Sequence, residues 1–185
     1  MYVPSAKLKV SKLASLIEST LQAHYADFRV LARHINDELL AESRKARNLL
    51  MGDPIKFGQV ILTGAEFVGD NLLRDSGAGF RVSHTFDVEI LFEYFDAETD
   101  GNSSTFKFYE LLENDSTEGN IGLLTKMRET SSLTFTSSDS SAISEGTTLI
   151  SDLGLPDNVE MGNVVPVDTA GRERIHVCTF TITVT

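Results

Sequence analysis

Between residues 80 and 95 the chain reads FRVSHTFDVEILFEYF. Phe80, Val82, His84, Phe86, Val88, Ile90, Phe92 and Tyr94 alternate with Arg81, Ser83, Thr85, Asp87, Glu89, Leu91, Glu93 and Phe95. A strand turns successive side chains to opposite faces, so the pattern sets an apolar face beneath a mostly charged one. At about 3.3 Å per residue such a run extends roughly 50 Å, well past the usual five or six residues, so it bends at a bulge or projects from its domain. A second alternation closes the chain, with His176, Cys178, Phe180, Ile182 and Val184 on one side and Thr179, Thr181, Thr183 and Thr185 on the other. The matching polarity makes the two runs natural sheet partners, and threonine suits the wet face of a sheet.

Helical spacing dominates the opening third. Leu13, Leu16, Ile17, Leu21, His24, Tyr25 and Phe28 recur at intervals of three and four, which predicts a helix from a Ser11 cap to about residue 28. A break is expected between Asp27 and Arg33. Ile35, Leu39, Ala46, Leu49 and Leu50 then give a second helix over residues 35–50, stopped by Gly52, Asp53 and Pro54; one bent helix is the alternative. Its cluster Arg44, Lys45 and Arg47 reads as a solvated face suited to a helix C-terminus, with a docking patch as the alternative.

Residues 56–68 read as a strand containing Phe57, Val60, Ile61 and Leu62, and the glycines at 64 and 69 predict a bulge or a close backbone approach. Residues 70–79 then connect it, antiparallel, to the long strand. Residues 96–104 form an acidic turn. Asp96, Glu98, Asp100 and Asn102 alternate as calcium ligands do and Gly101 falls sixth, but the twelfth position is Lys107 where an EF-hand needs glutamate, so the turn is read as ordinary.

Residues 105–112 and 121–129 are read as helices. Residues 130–148 hold twelve Ser or Thr in nineteen positions. That composition predicts a mobile loop or an arm that orders against a neighbouring subunit, with a two-stranded projection through Leu133 and Phe135 as the alternative. A helical turn is expected over residues 147–155 and loop over 157–171, with Val164, Val165 and Val167 as a candidate strand around Pro166. The expected fold is α+β: one domain over residues 1–185, a mostly antiparallel sheet with one long strand or hairpin, packed by N-terminal and mid-chain helices.

Charge changes the picture of partners. The net charge is −11, and residues 1–51 hold 8 Lys or Arg against 5 Asp or Glu while the rest holds 8 against 22. An acidic body disfavours tight nucleic-acid binding, which needs cations to displace counterions, yet a like-charged wall lets a phosphate backbone pass without sticking. The single cysteine, Cys178, excludes an internal disulfide and fits a reducing compartment. No segment has the apolar length of a membrane span or a signal peptide, so the expected site of assembly is the cytoplasm.

Chemistry is sparse. His24, His34, His84 and His176 include no pair at helical zinc spacing. His84 and His176 fall on the two inward strand faces, where meeting across the sheet is open to them, and are read as buried neutral histidines rather than a catalytic couple. Cys178 reads as a core residue. Residues 76–79, SGAG, lack the spacing of a dinucleotide fingerprint, and there is no P-loop or nucleophile elbow. No cofactor is expected, and the balance favours a structural or binding role over an enzyme.

The order of elements resembles the tail terminator proteins of long-tailed bacteriophages. Residues 60–69, VILTGAEFVG, are similar to the strand and turn of that family, and lead into an alternating strand as they do there; the closing TFTITV run is similar to its final strand. The likeness covers residues 11–31, 57–95 and 174–185. It implies a ring of identical copies, typically six, that caps the tail tube, ends its polymerisation and meets the head connector at the head–tail junction of the virion. It also implies Leu62, Thr63, Gly64, Ala65, Glu66 and Phe67 as a subunit or tube interface, and Asp96, Glu98 and Asp100 as acids facing a channel through which DNA slides. The helix at 35–50 and the insert at 130–148 have no counterpart, which leaves open another neck component, a head–tail connector or tail completion protein. A non-viral module that pairs through a sheet edge is the reading from a different class.

Overall fold

The computed structural model describes residues 4–33, 55–68, 81–93, 101–164 and 175–185. Helix α1 (Ala6–Gln22) begins earlier than its apolar stripe suggests. Ser5, with extended backbone, accepts the Leu8 N–H through its side chain at 3.4 Å and is the cap, so Ser11 lies inside the helix instead. Lys9 disguises the first turn: four residues before Leu13, it occupies a position on the apolar stripe and is 1% exposed. The helix also ends sooner than expected. Residues 23–28 form turns, Phe28 is fully buried, and strand β1 (Arg29–Arg33) follows where a break between helices was expected. The expected helix at 35–50, the connection at 70–79 and the acids Asp96, Glu98 and Asp100 lie outside the described residues.

Strands β2 (Lys56–Val68) and β3 (Arg81–Phe92) form the long antiparallel hairpin. Their register shifts between Leu62 and Gly64, leaving Thr63 as the extra residue, which is the bulge that the glycine signalled. Strand β7 (Ile175–Val184) pairs antiparallel with β3 from Phe92 opposite His176 to His84 opposite Val184. With β6 (Asp157–Val164) the main sheet has the order β1-β2-β3-β7-β6, in which only β1 and β2 run parallel. The fold is α+β, as expected.

One face of this sheet carries the core. Phe86, Val88, Ile90 and Phe92 of β3 and Cys178, Phe180, Ile182 and Val184 of β7 are all at most 2% exposed. They share one apolar cluster with Val10, Leu13, Ile17 and Leu21 of α1, with Phe108, Leu111 and Leu112 of α2 (Gly101–Leu112), and with Leu123, Leu124 and Met127 of α3 (Leu123–Glu129). Aromatic rings stack at one end of it: Phe28 on Phe92 at 6.4 Å, Phe92 on Phe108 at 5.9 Å, and Phe108 on His176 at 5.1 Å between centroids. On the opposite face Phe57 and Leu91, paired in register, are also buried.

The Ser/Thr-rich stretch behaves differently from its composition. Strand β4 (Ser132–Phe135) pairs with β5 (Leu149–Asp152), and Leu133, Phe135 and Ile143 are 4%, 0% and 3% exposed within the main core. The stretch therefore folds on its own chain through those three apolar anchors, as a hairpin rather than a loop awaiting a neighbour. Its turn is fixed by Asp139, which accepts the Thr136 N–H and an ion pair from Lys12 of α1, each at 2.8 Å. Residues 149–152 are strand rather than helical turn, and residues 157–164 are strand rather than loop.

Candidate assembly surfaces

The hairpin outruns its roof. Gly58, Val60 and Leu62 of β2 face the core in register with Ile90, Val88 and Phe86; past the bulge, Ala65 and Phe67 take up the same face opposite His84 and Val82. Here the cover ends. Leu62 still packs partly against the core and Gly64 is half-buried, but Thr63, Ala65 and Glu66 are exposed and Phe67 is 72% exposed. The six residues that the tail-terminator likeness singled out thus sit together where the hairpin leaves the domain. Phe67 is the most exposed of the large apolar side chains among the described residues, ahead of Leu155 at 68%.

Lys9 marks the boundary between covered and uncovered hairpin. Its Nζ lies 2.9 Å from the Val82 carbonyl oxygen, 3.4 Å from His84 Nδ1 and 3.5 Å from the Val184 carbonyl oxygen. For the ammonium to donate to Nδ1, the ring proton must sit on Nε2. Burial pushes the Lys9 amine below its ordinary range, and burial, then the charge of Lys9, holds His84 below the usual imidazole value. A side chain 1% exposed offers no path to a substrate, so this pair ties α1 to the ends of β3 and β7. His84 and His176 do not meet: they lie opposite Val184 and Phe92, eight positions apart along β3 or about 26 Å at strand rise.

The other face of the sheet is wet and acidic at its centre. An open groove of about 350 Å³ is lined there by Gln59, Ile61, Asp87, Glu89, Glu160 and Thr181, with no cationic side chain among its lining. Gln59 Nε2 donates to Glu89 Oε1 at 2.7 Å and Thr181 Oγ1 to Asp87 Oδ1 at 3.2 Å, while Gln59 Oε1 is buried without a partner. At the far end Glu93, 2% exposed, accepts the Ile55 N–H through Oε2 at 3.1 Å. No cluster of three potential metal ligands occurs among the described residues.

Cys178 is fully buried and its thiol is pushed up to about 11 by burial, so it is an inert core residue. Among the described residues, Lys9, Thr20, Gln59, Glu93 and Ser151 are the buried polar groups that the sequence reading passed over. Only Lys9 left a legible trace, as a cation at stripe spacing before Leu13. No family model matches the chain, and no curated protein matches it.

Proposed function

We propose that this chain is a structural protein of the neck of a long-tailed bacteriophage, a tail terminator or a close functional equivalent. Copies assemble into a ring, six in the arrangement that the family likeness implies, which caps the tail tube, ends its growth and presents its other side to the head connector. Assembly takes place in the host cytoplasm and the product stays at the head–tail junction. DNA passes through the ring without specific binding, because an acidic wall repels phosphate. No cofactor and no membrane enter this reading.

The observation that carries it is the overhanging hairpin. Residues 60–68 of the VILTGAEFVG segment, which prompted the likeness, lie in the strand that leaves the covered core and turns Phe67 to solvent. Such an extension suits a ring subunit, which needs a limb to reach a neighbour or a tube. Purified protein is expected to give closed rings in negative-stain images and a single high mass by light scattering, and to halt growth of tail tubes when added to polymerising tube protein. A monomer that stays monomeric beside tubes and leaves their length unchanged sinks the reading.

A further inference from the structure

The two margins of the main sheet are built as complements. Strand β1, at one margin, is RVLAR: two arginines and no acid in five residues, with Arg29 exposed. Strand β6, at the other, is DNVEMGNV: two acids and no base, with Asp157 and Glu160 exposed. Among the described residues no strand pairs with the outer side of either, and of the β1 backbone donors the Val30 N–H is taken by the Glu18 carboxylate of α1 at 2.8 Å. An open margin is a template for another chain, and proteins that stay single usually blunt it by keeping it very short, with charge, proline or a bulge, or with a covering helix. Here the signs are opposite.

Length and direction match as well. A bulge between Asp157 and Glu160, with Asn158 at φ 50°, breaks the start of β6 and leaves 160–164 as its regular part, five residues against the five of β1. The strand directions along the sheet make β6 antiparallel to β1. A rotation that carries one sheet onto the next without inverting its strands therefore offers the better-bonded antiparallel pairing.

We infer that β1 of one copy pairs antiparallel with β6 of the next, joining copies of this chain head to tail through a continuous sheet. In the full-overlap register Arg33 stands opposite Glu160, and Ala32 opposite Met161, which is 49% exposed in the single chain. The faces agree: Leu31 and Arg33 share the register side of Gln59 and Ile61, and Glu160 that of Thr179, so acid-facing positions meet on one side and core-facing positions on the other. A contact between two different patches closes into a ring or runs on as a fibre, and closure removes every free margin. The inference rests on the ring of the proposed function and supplies its subunit contact.

Charge exchange tests it. Arg33→Glu alone and Glu160→Arg alone are each expected to lose the ring, with mass by light scattering falling to that of one chain, while far-UV circular dichroism stays as in the parent. The two changes combined in one chain are expected to restore the ring. Independently, Arg33→Cys with Glu160→Cys is expected to give a ladder of covalent multimers on mild oxidation, and each single cysteine variant no ladder beyond dimer. Rings that survive both single charge reversals, or a double-cysteine protein that forms rings and yields no ladder, overturn the edge contact and leave the neck reading intact. Rings that behave as expected yet ignore tail tubes do the reverse, and a parent protein that forms no ring at any concentration overturns both.

Discussion

The two halves of the β2–β3 hairpin share one alternation and differ in what lies above it. In the covered half Gly58, Val60, Phe86, Val88, Ile90 and Phe92 are packed under α1 and α2; in the overhanging half Ala65 and Phe67 keep the same side of the strand and meet solvent. The geometry accounts for this. A 17-residue helix is about 25 Å long at helical rise, and a 13-residue strand about 43 Å at strand rise, so one such helix cannot roof the whole hairpin. Periodicity therefore specifies which side of a ribbon is apolar. It does not specify where the covering layer stops, and the excess apolar side meets solvent in the single chain.

The largest effect is expected from truncating a ring in the covered half. Phe86→Ala removes a fully buried side chain and should cost about 3–5 kcal/mol in urea unfolding, whereas Phe67→Ala should stay within about 0.5 kcal/mol. If the two cost the same, the halves do not differ as described. The second comparison uses glycine. A Cβ at Gly58 would stand 2.8 Å from Ile90 Cδ1 and 3.1 Å from Val30 Cγ2, while at Gly64 the nearest atom is Thr85 Cβ at 3.7 Å. Gly58→Ala is expected to destabilise by about 1–3 kcal/mol through overpacking, and Gly64→Ala to be neutral or mildly stabilising, as read from melting midpoints.

The boundary itself is sensitive to pH. The folded-state value of His84 lies below its ordinary 6.5, so between the two values the unfolded chain binds more protons than the folded one. Stability is complete above about pH 6.5 and falls as pH drops from there towards the folded-state value. Replacing His84 by Asn should flatten that part of the stability profile without touching the loss below about pH 3.8, where Asp139 releases Lys12. Lys9 carries the same sign at the alkaline end: stability rises with pH towards 10.5, and Lys9→Met should abolish the rise. The smallest change in stability is expected to have the largest change in behaviour. Phe67→Ala should leave the melt unaltered and weaken the arrest of tube growth, measured as longer tubes at equal protein.

Much of the sheet was legible in advance because β2, β3 and β7 each run for ten or more residues with one wet side, and period two is plain over that length. Gly64 marked the bulge for the same reason that glycine marks any local departure from the pleat. The margins were not legible. RVLAR is too short to show a period, and in DNVEMGNV Val159, Met161 and Gly162 are all exposed, so no apolar side separates from a polar one. Residues 130–148 left two readings open for a different reason: composition averages over nineteen residues, whereas the two-stranded alternative, which is the one found, needs only Leu133 and Phe135 to be anchored. Of the proposed assembly surface, Leu62 to Phe67 was readable as a segment and unreadable as an overhang, since the sequence does not show where the cover of α1 stops.

The position of β7 has a bearing on how the molecule comes to be folded. It is synthesised after every other strand described, yet it lies inside the sheet between β3 and β6, and Thr185 exchanges backbone hydrogen bonds with Asp152 at 2.9 and 3.0 Å. Until it emerges from the ribosome, β3 has one partner and β6 has none, and the oily underside that α1 is to cover is incomplete. Such late, long-range pairing is slow to nucleate. A nascent chain stalled before Ile175 would hold an open seam at its middle, where a wrong strand fits as readily as the right one.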